Sequence, residues 1–376
     1  MARIIYAVAG EGYGHSSRAH LVGQRLLDAG HEVMFVASQK ALRYLRSIYG
    51  PEVKEIFGLS FAYRRGRIDP VETFTRNLFQ VARAKSLNKR LFEKVYRSFN
   101  PDLVITDFEP FTGWWARRSG VPFISLDNEH MLTVCRLEHR LRYVLPRLTA
   151  TAVTKSFGIG AGTYVVTNFF DAPVKTDRAI LAPPIVRPIV TTMEPSDAGH
   201  VVIYWTTGTE ETRLRTVLRK FPGQRFFVYG FDKSATVGNC VFKRPSTEGF
   251  LADLASAHGV VASAGLSSLS ECMYWRKKML LLPLAGQYEQ IVNAHYFEKL
   301  GLGITAKRLN EAVLARFLDR LDEPISQDER ILWPDNEKFF ETLETALSRL
   351  QTPVSIAIRE IGPKRRSTAP MVRAED

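Results

Sequence analysis

Residues 259–301 read GVVASAGLSSLSECMYWRKKMLLLPLAGQYEQIVNAHYFEKLG. The opening run is apolar and of strand length, Gly265 permits a tight turn, and the residues from Ser267 have helical period, so a strand turns directly into a helix. Ser267 and Ser268 stand at that helix's N-terminus, where unbonded backbone N–H groups and the helix dipole favour a diphosphate. Glu271 follows one turn in, placed to accept hydrogen bonds from ribose hydroxyls as acidic side chains do in other nucleotide sites. A second strand then ends in Pro283 and a loop leading to Gln287, Gln290 and Asn293. At spacings of three these polar groups share one helix face and can meet a sugar's hydroxyls. Each feature alone is ordinary capping or solvated surface; the reading rests on their order.

Working outward, strand-length apolar runs alternate with helical periods on both sides. Strands are expected at 201–206, 225–229, 259–262 and 278–282, with helices at 210–220, 247–257, 267–275 and 287–300. Nearer the start, strands are expected at 3–9, 31–37, 103–106 and 123–126, with helices at 17–29, 39–48 and 72–98. Near-continuous hydrophobic strands separated by helices imply parallel sheets covered on both faces, an α/β fold. Between the two series, residues 183–199 carry Pro183, Pro184, Pro188 and Pro195, which suits an exposed connector because proline joins neither a central ladder nor a helix interior. The expected organisation is a domain at 1–182, a linker at 183–199, a second domain at 200–350 that includes a helix at 337–350, and a disordered tail at 351–376.

The first strand ends in Gly10-Glu11-Gly12-Tyr13-Gly14-His15. A glycine-rich turn before a helix can cradle phosphate, yet the dinucleotide fingerprint fails twice. His15 stands where its third glycine belongs, and Val36, Ala37 and Ser38 stand where its acidic residue belongs. No GxxxxGK[ST] motif is present either. The loop does display a histidine at a strand's C-terminal edge, where ligands of open α/β sheets collect; imidazole, with an unperturbed pKa of about 6.5, can remove a proton from an attacking hydroxyl. Asp107 follows a buried strand onto the same edge and can either orient that imidazole or cap the next helix. Asp127-Asn128-Glu129-His130, after the following strand, shares the edge, and Glu129 and His130 are candidates to line an acceptor pocket.

The chain's 376 residues, 45% hydrophobic and 24% charged, suffice for two cores. The longest apolar runs fall short of the roughly 20 residues a spanning helix needs, and the start lacks a signal peptide's cleavage region, so a cytoplasmic protein is expected. Three widely spaced cysteines, Cys135, Cys240 and Cys272, offer neither a CxxC pair nor a disulfide framework. The net charge of +12 favours polyanions without choosing among them, and no nucleic-acid-binding pattern is present. Part of that charge lies between Arg64 and Arg97, interleaved with Phe61, Tyr63, Phe74, Leu78 and Phe79. Such a stretch is either a solvated helix face or a peripheral contact with an acidic membrane surface, on the inner face.

In its GEGYGH loop, in Gly265 through Glu271, and in Pro283, Gln287, Gln290, Asn293 and Ala294, the chain resembles the family 28 type of glycosyltransferase. It also resembles that family's relatives, the peptidoglycan N-acetylglucosaminyltransferase and the UDP-glycosyltransferases. The resemblance covers most of the chain. It implies the GT-B fold, two Rossmann-like domains facing across a cleft, with the acceptor on the N-terminal side, the donor on the C-terminal side and a final helix packing back across the domains. It further implies that Glu271 holds the donor ribose, Ser267 and Ser268 the diphosphate, and Gln287 and Gln290 the sugar, while Gly208 and Thr209 face the phosphates. Gly12 and Gly14 belong to the acceptor-side loop. Arg276-Lys277-Lys278 replaces the Gly-Lys-Pro or Gly-Val-Pro of many relatives, and the Trp-rich start of the plant-type donor signature is missing, which leaves base and sugar open.

The implied reaction is an inverting, metal-independent transfer of a hexosyl or N-acetylhexosaminyl group from a nucleotide-diphosphate sugar, UDP-linked by the resemblance, to the hydroxyl or amine of a small-molecule or lipid-linked acceptor. His15 is the base and Asp107 its orienting partner. No cofactor beyond the co-substrate and no metal site is expected, there being no Asp-x-Asp motif. The alternatives are a nucleotide-sugar epimerase or hydrolase on the same fold, and a noncatalytic nucleotide-sugar-binding protein.

Overall fold

The computed structural model describes residues 1–10, 12–59, 63, 64, 67, 68, 75, 84, 86, 88–139, 141–205, 210–244, 246–350 and 356. The first sheet is built from β1 (Arg3–Val8), β2 (Glu32–Ala37), β3 (Lys54–Glu55), β6 (Leu103–Asp107), β7 (Phe123–Asp127), β8 (Thr163–Thr167) and β9 (Ala179–Ala182), in the order β3-β2-β1-β6-β7-β8-β9. All its pairings are parallel. A two-residue antiparallel pair, β4 (Tyr63–Arg64) and β5 (Arg67–Ile68), stands apart from it.

The second sheet contains β10 (His200–Tyr204), β11 (Arg225–Tyr229), β12 (Ala235–Val237), β13 (Cys240–Phe242), β14 (Gly259–Ala262), β15 (Lys278–Leu281) and β16 (Gly303–Thr305). Its order is β12-β13-β11-β10-β14-β15-β16, parallel except at β12. These are two α/β domains. In each, the strand order reverses at one place, between β1 and β6 and between β10 and β14, and ligands of such sheets bind at the C-terminal ends there.

Helix α1 (Tyr13–Asp28) starts earlier than its expected beginning at residue 17, because Gly12 at φ 84° ends the loop in a conformation that suits glycine. His15 therefore sits in the helix's first turn. The other main helices of the first domain are α2 (Gln39–Tyr49), α3 (Pro110–Ser119), α4 (Met131–Val134) and α5 (Val144–Phe157). Sequence periodicity names no element between 130 and 182, the stretch that holds α4, α5, β8 and β9. The helix expected at 72–98 lies mostly outside the described residues; its end includes a π-helical stretch, Leu91–Tyr96.

The connector is largely buried from 183 to 190 and exposed from 194 to 199. It contains α6 (Pro188–Thr192), and Val186 and Val190 are buried in an apolar cluster that also holds Met131, Phe169 and Phe170 of the first domain and Leu269, Val292 and Phe297 of the second. The second domain adds α7 (Glu211–Leu218), α8 (Thr247–Ala255), α9 (Leu266–Tyr274), α10 (Tyr288–Lys299) and α11 (Glu311–Leu318). The last helix, α12 (Asn336–Arg349), is capped by the Asp335 side chain and returns to the first domain. There Phe339, Leu343 and Leu347 are fully buried in the same cluster as Ile4, Ile105 and Val165. Of the tail beyond residue 350 only Ile356 is described; it is buried in that cluster, and its carbonyl accepts from Arg25. No helix among the described residues is long and apolar enough to cross a membrane.

Since Phe339 fills the first domain's core from the far end of the chain, Phe339→Ala should cost about 3–5 kcal/mol. Urea unfolding should register that loss together with faster amide exchange in β8, whereas a change confined to the second domain would refute the packing role.

Candidate active site

β1 and β6 lie side by side, so Val8 pairs with Asp107 and the loop to α1 rises beside the Asp107 carboxylate. Asp107 is fully buried. Its Oδ1 lies 2.6 Å from His15 Nδ1, and Arg18, one turn further along α1, donates to Oδ2 at 2.7 Å and to Oδ1 at 2.6 Å. The capping role open to Asp107 is taken instead by Glu109, whose carboxylate accepts from the backbone of Phe111 and Thr112 at the start of α3. Between them Phe108 adopts φ 54°, uncommon for a bulky residue, and lays its ring over the His15 imidazole at 6.2 Å and 11°.

The loop after β7 divides its residues between support and surface. Asp127 is fully buried and holds His130 through backbone and ring, at 2.8 and 2.7 Å, while Asn128 donates to the Thr167 carbonyl. His130 is 2% exposed and lies against Gly158 and Tyr164, so it does not line an open acceptor surface. Glu129 does emerge, with Oε1 3.5 Å from His15 Nε2. The imidazole is thus flanked by carboxylates on both nitrogens. Burial by itself lowers its pKa, but Glu129 and then Asp107 outweigh burial and hold it up to about 9. Burial also pushes the Glu129 carboxyl up, with His15 pulling against it.

On the other domain, Gly265 precedes α9 without any side-chain cap, leaving the first-turn N–H groups around Ser267 and Ser268 open to an anion. This N-terminus faces that of α1. A Cβ on Gly14 would lie 2.2 Å from Ser267 Oγ, and the space lined by Gly14, Ser17, Arg18, Arg187, Ser267 and Glu271 has a volume of about 20 Å³. That is room for about one water molecule, too little for a diphosphate between the two helix ends as they stand. Glu271 is buried in a two-pronged pair with Arg187 of the connector, at 2.6 and 3.0 Å. Gly208 and Thr209 lie outside the described residues.

The polar stripe of α10 turns inward. Gln290 accepts from the Leu284 backbone and donates to Gln287, which stands at the helix N-cap. Asn293 has no exposure and donates to the Ala264 carbonyl, tying down the loop that leads into α9. Asn293 therefore holds the loop in place and does not reach the cleft. Sequence reasoning missed three residues here. Arg18 and Arg187 make their ion pairs over long sequence separations. Glu289, beside Gln290, is bonded by Asn293, and burial first and Glu129 second push its carboxyl up, the latter acting across the domain boundary. Among the described residues no group of three or more His, Cys, Asp or Glu is arranged to hold a metal ion.

Two Rossmann-like sheets whose switch points confront each other, one bearing a His–Asp pair and the other an open helix N-terminus, form the GT-B arrangement. The chain belongs to glycosyl transferase family 1, whose family model matches residues 2–322. The matches do not extend to the family 28 placement. An uncharacterised glycosyltransferase of Methanosarcina acetivorans is 24% identical over 327 residues, 80% of this chain and 84% of its own length. Among solved structures, the glycosyltransferase of kitacinnamycin superposes with a TM-score of 0.67 at 16% identity, covering 94% of this chain and 99% of its own. Arabidopsis thaliana UGT89C1 complexed with UDP gives 0.57 at 17% identity, covering 93% and 98%. At these identities the likeness to solved structures speaks for the fold.

Because Glu129 contributes to the raised His15 pKa, a histidine-selective NMR titration should place the His15 midpoint near 9 in the native protein. Glu129→Gln should move it toward the ordinary value of about 6.5. An unmoved midpoint would show that Glu129 does not act on the ring.

Proposed function

We propose that this chain is an inverting, metal-independent glycosyltransferase that moves a hexosyl or N-acetylhexosaminyl group from a UDP-linked sugar to an acceptor hydroxyl or amine. The observation that supports this reading best is the His15–Asp107–Arg18 arrangement, set where the α1 end meets the α9 end. His15 Nδ1 is committed to Asp107, which leaves Nε2, on the Glu129 side, as the nitrogen that takes the acceptor's proton. The acceptor oxygen forms its bond to the anomeric carbon on the face opposite the nucleotide, and the carbon–phosphate oxygen bond breaks. The departing diphosphate gains charge, which the unbonded N–H groups of α9 and the helix dipole stabilise.

Ser267 and Ser268 meet the diphosphate in this reading, with Gly208 and Thr209 facing it, and Gln287 and Gln290 approach the sugar. Glu271 accepts from the ribose; each of its oxygens keeps a lone pair beyond those used by Arg187. The UDP named for UGT89C1 supports a uridine donor by analogy of fold. A base whose conjugate acid is held near pH 9 is largely protonated at neutrality, so its active fraction grows with pH.

His15→Ala should lower turnover by about 10² to 10⁴ and flatten the alkaline rise of kcat/KM, while calorimetry finds donor affinity nearly unchanged. Glu271→Ala should do the reverse, weakening donor affinity about tenfold or more. Native turnover in the His15 variant would remove the base assignment. In a separate assay, transfer should survive EDTA; loss restored by Mg²⁺ or Mn²⁺ would show that a cation carries the leaving-group charge.

A further inference from the structure

Helix α5 (Val144–Phe157) is turned the wrong way round for a helix on a water-facing surface. Of its 14 residues only Thr154 is buried, while Leu145 is 77% and Leu148 58% exposed. Val144 and Val153 on the helix, and Ile159 just beyond it, are exposed as well. The other exposed large apolar side chains of the described residues, Met1, Ile48, Val174 and Tyr274, are scattered. Contiguous exposed apolar side chains mark an interaction surface, whereas single ones do not.

The helix itself carries charges of one sign, and the acidic Glu138 and Glu298 meet Arg142 at the cavity beyond its N-terminal end. From Glu138 to Asp171 the sequence contains no acidic residue between those two, but it contains Arg140, Arg142, Arg147 and Lys155. Arg117, exposed at the end of α3, packs beside Gly160 and extends the cationic rim past the far end of the helix. A second copy packed helix to helix would set Arg147 and Lys155 against the same cations, and a neutral partner would leave them without counter-ions. Apolar side chains flanked by cations at both ends match the boundary of an anionic bilayer, where the former enter the acyl region and the latter meet headgroup phosphates.

The helix also leads to the catalytic residues. Trp114 donates to the Ser156 carbonyl near its C-terminus, and Phe157 packs at 4.7 Å against Phe108, the residue stacked on His15. At its N-terminal end Arg142 and Tyr143 border a cavity of about 270 Å³ that reaches Pro283 and Tyr288 of the donor domain.

The geometry points to α5 as a docking surface for an anionic lipid bilayer, holding the acceptor side of the cleft at the membrane boundary. This surface is distinct from the basic stretch between residues 64 and 97, most of which lies outside the described residues. Resting on the transferase reading, it further assigns the acceptor to a class whose hydroxyl or amine lies at a lipid–water interface.

Flotation of the full chain with vesicles tests the docking without any donor present. At low salt the native protein should float with phosphatidylcholine vesicles containing roughly one-third phosphatidylglycerol and not with phosphatidylcholine alone. Leu145→Asp with Leu148→Asp should reduce that binding about tenfold or more with melting unchanged, since both side chains are exposed. Lys89→Ser with Arg90→Ser, in the other basic segment, should leave it intact. Equal flotation of the native and leucine variants, or no flotation of either, would overturn the proposal. So would a concentration-dependent dimer in sedimentation velocity that the leucine variant abolishes, because the patch would then belong to a second copy. Failure in this assay leaves glycosyl transfer to a water-soluble acceptor untouched, and failure of transfer leaves the flotation result standing.

Discussion

A carboxylate with no solvent exposure cannot remain charged unless other groups replace the water it has lost. Asp107 is such a group, and its replacements come from a single helix, His15 from the first turn of α1 and Arg18 from the next. Meeting both at once fixes the height and rotation of α1 above the sheet. That placement requires the chain to leave β1 through the left-handed turn at Gly12 and start the helix at once. It also requires another residue to cap α3, which Glu109 does. Arg18 matters as much as His15 in this arrangement, because it neutralises Asp107 whichever protonation state the imidazole holds.

The second domain reaches the same cluster. Glu289 feels Glu129 across the domain boundary, while the apolar cluster beneath runs without interruption from Phe169 and Phe170 into α10, where Tyr296 stacks on Phe170 at 3.8 Å. The cleft is thus narrow at its polar lip and closed by shared core below. Widening the lip would mean moving helix ends and side chains there, above a floor of shared apolar core.

The strand–turn–helix from Gly259 to Tyr274 was legible because it is local. Gly265, Ser267, Ser268 and Glu271 fall within seven residues, and the helix itself places them. His15 and Asp107 were legible as two residues on one sheet edge, since parallel topology brings strand ends together, although the choice between orienting and capping needed Glu109. Arg18 and Arg187 were not legible. An arginine on a helix or in a connector has the same sequence signature whether it meets solvent or a carboxylate far along the chain, and only the fold decides. In the α10 stripe Asn293 was misleading, because polar spacing on a helix identifies a face without saying what each side chain on it meets. Helix α5 escaped notice for the opposite reason. Periodicity finds helices by apolar side chains that turn inward, and here they turn outward.

The return of α12 has a consequence for how the chain comes into being. Its Phe339, Leu343 and Leu347 are part of the core of the domain translated before the second one. Until residue 349 has left the ribosome, the β8–β9 side of that domain stays open, with an apolar face awaiting a helix encoded after the second domain. The second domain can complete its own sheet meanwhile. The order of synthesis and the order of completion are thus reversed, and a ribosome stalled anywhere before α12 would hold a nascent chain whose first domain is still unsealed.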